Sequence, residues 1–144
     1  MADFDRAQPP PPGSERLREH PEARFAAERH QFDLSAAARE LAVEPATPVR
    51  GHRQKTLYRH GRLTVALFAF DPGASLPSHT AAGAVTINVL QGRLRVKTPG
   101  GDHDLPAGNL LVLAPGVRHD VAAAEEPSVM LLQVHLDEPP AARE

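Results

Sequence analysis

From Arg53 onward the chain is a series of short apolar runs cut by Gly and Pro turns. Lys55–Arg59 and Arg62–Phe70 flank His60-Gly61, the signal of a two-residue hairpin. Val85–Leu90 leads through Gln91-Gly92 into Arg93–Thr98, where Leu94 and Val96 alternate with Arg93, Arg95 and Lys97. That alternation predicts a second hairpin with one dry face and one wet face. Turns at Pro99-Gly100-Gly101-Asp102, Pro106-Ala107-Gly108 and Pro115-Gly116 then set off His103–Leu105, Asn109–Ala114 and His119–Ala122, and Val129–Leu136 closes the series. Strands spaced about 8–12 residues apart, with no long helical pattern among them, predict an all-β antiparallel sandwich or barrel.

The strand Arg62–Phe70 is apolar on both faces: Leu63, Val65 and Leu67 alternate with Ala66, Phe68 and Phe70. Such a strand needs cover on both sides. Before it, Leu34, Ala38 and Leu41 recur at helical spacing, which predicts a short helix to about Val43 with Ser35 as its cap. That helix is short and Ala-rich, so we expect a second copy of the chain, as a homodimer, to cover what it leaves open.

Residues 1–31 have a different texture. Pro9-Pro10-Pro11-Pro12-Gly13 predicts disorder, and charges of both signs from Glu15 to Arg29 predict a solvated, partly helical arm with a short helix after Pro21. The expected organisation is this N-terminal arm over residues 1–31, one barrel domain over residues 32–138, and a disordered tail over residues 139–144. A chain of 144 residues has room for one such core.

Composition narrows the chemistry. With no Cys there are no disulfides, thiolate ligands or thiol nucleophiles, which fits a reducing compartment. No stretch is apolar enough to cross a membrane, and Met1 is not followed by a targeting pattern, so a soluble cytoplasmic protein is expected. A net charge of −2 makes neither nucleic acid nor membrane an expected partner. Aromatic residues are only 4% of the chain, so the core must come from Val, Leu, Ile and Ala.

Two stretches carry a family pattern. Gly73-Ala-Ser-Leu-Pro-Ser-His79-Thr-Ala81-Ala-Gly-Ala-Val85, continuing to Gly92, keeps the spacing of G-x5-H-x-H-x3-E-x6-G throughout. Gly108, Gly116 and His119 keep the register of G-x5-P-x-G-x2-H-x3-N, with Pro115 shifted by one and Ala123 in place of the Asn. On these motifs the chain resembles the cupin superfamily over roughly residues 52–136. The resemblance implies a double-stranded β-helix (a jelly-roll barrel). It also implies a lumen where three His and one Glu hold a divalent Fe, Mn, Ni or Zn ion.

This sequence departs from that set. By register His79 and His119 stand at two ligand positions, whereas Ala81 and Val85 stand where a His and the Glu belong. Neither Ala nor Val has a lone pair to give. Three readings of the His79/His119 pair remain open. The barrel binds a small organic molecule in its lumen, lined by His79, Ala81, Val85, Asn88 and His119, with no metal or a weakly held one. Alternatively, another side chain completes a metal site for an oxygenase- or isomerase-type enzyme. The third metal ligand would then be His135, or less readily His52 or His60. Lastly, the pair is inherited scaffolding. If Met130, Leu132, Val134 and Leu136 face the lumen, alternation turns His135 outward.

Other features point to no further chemistry. The basic stretch Arg50, Arg53, Lys55, Arg59 and Arg62 reads as protection of an exposed strand edge. Asp120 follows His119 directly, so the two point to opposite faces of a strand. No nucleophile elbow or phosphate loop is present, which leaves proton transfer to the imidazoles alone.

Overall fold

The computed structural model describes residues 24–45 and 51–138. The expected disorder of residues 1–14 and of the C-terminal tail, and Arg50 of the basic stretch, lie outside the described residues. Among them are a helix, α1 (Leu34–Ala42), and nine strands: β1 (His52–His60), β2 (Leu63–Phe70), β3 (Ser75–His79), β4 (Gly83–Gln91), β5 (Arg93–Thr98), β6 (Gly101–Pro106), β7 (Leu110–Leu113), β8 (His119–Ala123) and β9 (Ser128–Leu136). The strands form two antiparallel sheets, ordered β1-β2-β9-β4-β7 and β3-β8-β5-β6. This is the antiparallel barrel that the spacing predicts, in the jelly-roll form that the family resemblance implies.

Alternation explains how the barrel fills. Phe68, Phe70, Val85, Ile87, Val89 and Met130 project from the first sheet to meet Leu94, Val96, Leu105 and Val121 from the second, all of them buried. Each strand therefore gives one face to the space between the sheets, and that shared apolar interior holds them together.

The predicted first hairpin forms, although its turn is Gly61-Arg62, since His60 already pairs with Leu63. The predicted second hairpin does not form. β4 pairs with β7 and β9 in one sheet, whereas β5 pairs with β6 and β8 in the other. Gly92 turns the chain between sheets at φ +77°, where a Cβ would run into Ser128 Oγ and the Pro127 carbonyl. Only glycine meets both demands. β3 was not predicted at all.

The two-faced strand is covered within the chain. Ala66, Phe68 and Phe70 face the interior, while Leu67 and Ala69 lie in a second cluster with Ala38, Leu41, Leu57, Val129 and Leu131. Leu41 and Leu67 are 1% and 0% exposed, so α1 covers the outer face at that point. Leu63 and Val65 of the same face stay half-buried, and that is the part a second copy could still cover. The helix also starts differently: Asp33, not Ser35, is its N-cap, and Asp33 Oδ1 accepts from Ala36 N at 3.0 Å. Both residue types cap well, and Asp33 stands at the position from which its carboxylate reaches the open turn.

β1 is an edge strand, where the basic residues were expected. Arg53 donates to Glu44 O at 2.6 Å and to Asp71 Oδ1 at 3.2 Å, tying the strand to the end of α1 and to the β2–β3 connection. The described end of the segment read as a solvated arm also packs: Phe25 is 3% exposed, its ring 5.5 Å from that of Tyr58.

Candidate functional site

β3 and β8 are neighbours in the second sheet, and their register sets His79 opposite His119. The two rings approach to 4.3 Å between centroids, tilted by 58°. His119 is 1% exposed, whereas His79 is exposed, so the pair runs from the surface inward. Ala81 packs against the intersheet core, and Val85 is buried within it.

Each imidazole is held the same way. His79 Nδ1 lies 2.9 Å from Pro77 O, and His119 Nδ1 lies 3.0 Å from Val117 O. A carbonyl oxygen only accepts, so both Nδ1 atoms carry the proton and donate it. In a neutral imidazole the proton on Nδ1 leaves Nε2 with a free lone pair. His119 Nε2 is buried and has no hydrogen-bond partner among the described residues. Sequence reasoning missed these two carbonyls. The available signal was the repeated spacing, since each His follows its acceptor by two residues.

The remaining predicted site residues do not join. Asn88 sits with Thr86 and Leu90 on the row of β4 opposite the buried Val85, Ile87 and Val89, so it leaves the lumen set. His135 is exposed and shares its row with Val129 and Leu131 on the outer face, while Met130, Leu132 and Val134 face inward. The outward orientation disqualifies it as a third ligand. His52 packs against Phe68 and Phe70 with rings tilted by 40° and 36°, at 6.1 and 6.0 Å, and His60 lies near Tyr58. No group of three His, Asp or Glu able to hold a metal exists among the described residues. Asp120 is paired in register with Lys97, away from the imidazoles.

Residues 66–135 match the family described as the cupin domain. The chain contains a cupin domain. Among similar solved structures is a conserved protein of unknown function from Streptococcus pyogenes, 21% identical with a TM-score of 0.62, covering 81% of this chain and 92% of that one. A cupin superfamily protein from Desulfitobacterium hafniense is 20% identical with a TM-score of 0.61, covering 79% and 96%. A Cupin 2 conserved barrel domain protein from Leptotrichia buccalis is 27% identical with a TM-score of 0.61, covering 72% of this chain and 47% of that one. No curated protein is a significant match. These likenesses support the cupin barrel and leave its chemistry to the residues. Of the four ligand positions the resemblance implies, this cupin domain fills two, and that donor set does not fit a resident metal ion.

Proposed function

We propose that this cupin barrel binds a small organic molecule at the His79/His119 pair, without depending on a tightly held metal. The observation that carries the reading is His119 Nε2, a buried acceptor with no partner. Leaving such an atom unsatisfied costs about 1–3 kcal/mol, and buried polar atoms of this kind mark a missing partner. With Nδ1 fixed as donor, Nε2 accepts. The molecule it recognises therefore presents a hydroxyl or an N–H, with an apolar part against Ala81 and Val85. His79, exposed beside it, offers a second acceptor at the entrance.

The test is a thermal-shift screen of dialysed, untagged protein against a panel of sugars, hydroxy acids and cyclic amides, repeated on His119→Leu. At least one compound should raise the melting temperature of the wild type and lose that effect in the variant. A panel that stabilises both proteins alike counts against the reading. The metal-enzyme reading would need a third donor, and His135 does not supply it.

A further inference from the structure

On the outer face of the first sheet, away from the His79/His119 pair, residues 28–32 lie against β1 and β2. Together they form a cleft of about 320 Å³ lined by Glu28, His30, Phe32, Tyr58, Leu63 and Val65. That volume lies at the lower end of the ~300–1,000 Å³ typical of small-molecule sites. The lining is unusual for this chain. Aromatic residues are 4% of the sequence, yet the only Tyr and one of five Phe meet here, with Phe25 behind them. His30 and Phe32 lie parallel, 8° apart with centroids at 6.3 Å, and His30 meets Tyr58 edge-on at 5.2 Å.

Charge decides what such a cleft prefers. Among the described residues Glu28 is its only acid, and no Lys or Arg lines it. The neighbouring cleft, which shares His30 and Phe32, is lined by both Arg24 and Lys55. Arg24 already lies over the Phe25 ring at 4.4 Å, so this cluster uses its π faces for a cation within the chain. Among the described residues Glu28 is otherwise engaged by Arg29 alone, at 3.6 Å, with both side chains more than four-fifths exposed. A pair that exposed holds its carboxylate weakly. Ring faces carry negative potential and attract desolvated cations, quaternary ammonium groups above all.

We propose that this outer cleft binds a free small molecule bearing a methylated ammonium group. The π faces of Phe32 and Tyr58 would meet the cation, the Leu63/Val65 floor its methyl groups, and Glu28 its charge. The site is independent of the imidazole pair.

Because Tyr58 is the only tyrosine and Trp is absent, the intrinsic fluorescence of the whole protein reports on this cleft. The experiment titrates that signal with choline and with 3,3-dimethylbutan-1-ol, its uncharged isostere. Choline should bind about 3- to 30-fold more tightly than the alcohol, the span expected of a cation over aromatic faces. Phe32 is 40% exposed, so Phe32→Leu should fold while removing one π face. It should weaken choline at least about 3-fold and leave the alcohol unchanged. Equal affinity for the two probes overturns the proposal, as does no saturable change with choline up to tens of millimolar. A peptide bearing trimethyllysine that bound more tightly than choline would reassign the cleft to a protein partner and overturn the small-molecule source.

Discussion

Ser128 and Arg93 stand 35 residues apart, yet the hydroxyl of one serves both backbone groups of the other. Arg93 N donates to Ser128 Oγ at 3.0 Å, and Oγ shares its proton between Arg93 O and Glu126 O, each at 3.1 Å. Arg93 is the first residue after Gly92, where the chain leaves one sheet for the other. Its peptide N–H there has a side chain for a partner, whereas Arg93 O also accepts from Ala124 N at 3.0 Å, and Ser128 is 1% exposed. Ser128→Ala should therefore cost about 1–3 kcal/mol, because Arg93 N is left unpaired. Urea denaturation checks this, and a change below half of the lower figure would mean that water replaces the hydroxyl.

Gly92→Ala should be worse than Gly61→Ala, although both glycines have positive φ. A Cβ at Gly61 meets nothing within 4 Å, so only backbone strain of about 1–2 kcal/mol is added there. At Gly92 the same strain is joined by a collision with Ser128 and Pro127 backbone and side-chain atoms. Parallel melting curves for the two variants separate the effects. Equal loss would show that the β4–β5 corner can relax.

Leu41 tests whether α1 is part of the fold or a loose attachment. It is 1% exposed against Leu57, Leu67 and Leu131, so Leu41→Ala should cost about 2–5 kcal/mol. Val43, at the end of the same helix, is 82% exposed, and Val43→Ala should change stability by less than about 0.5 kcal/mol. Phe68→Asp and Phe70→Asp should unfold the protein rather than split a dimer, since both rings face the barrel interior.

The strands were legible because their apolar spacing is local, and eight of them were predicted within a few residues. Which sheet each joins was not legible, because the β4–β5 corner depends on Ser128, far along the chain. β3 escaped notice because Pro77 and Ser78 break its apolar pattern. In the site, His79, His119, Ala81 and Val85 follow from motif register. Asn88 was misplaced: it lies three residues from Val85, and in a strand that odd spacing sends the two to opposite faces. The cover over β2 is divided: α1 buries Leu67 and Ala69 closely because small residues face them, as Ala38 does, whereas Leu63 and Val65 stay half-buried.

The tautomers of the pair are directly measurable. Long-range 1H–15N correlation spectra should show His79 and His119 protonated at Nδ1, with Nε2 of His119 as a bare acceptor in the free protein. Finding the proton on Nε2 of His119 would remove the acceptor on which lumen recognition rests. Val117 O would then need another donor.

Rebuilding the missing donors gives the sharpest contrast between this barrel and a metal-holding one. Val85 is 3% exposed, so Val85→Glu alone places a carboxylate among apolar neighbours and should lower the melting temperature strongly. Adding Ala81→His supplies the second absent ligand beside His79 and His119. Without metal the double variant should remain less stable than the wild type, because the carboxylate still lacks a partner. With Zn2+ or Ni2+ at about a hundredfold over its dissociation constant, linkage should return about 2.7 kcal/mol. The wild type, with two donors, should gain far less, and after dialysis should retain metal well below one ion per chain. Melting curves with metal and with chelator, alongside metal analysis of untagged protein, read all of these outcomes. A double variant indifferent to metal would show that residues 81 and 85 do not converge with the imidazoles. A wild type holding one chelator-resistant ion per chain would mean that two imidazoles and solvent suffice, and the metal reading would then displace the one proposed here.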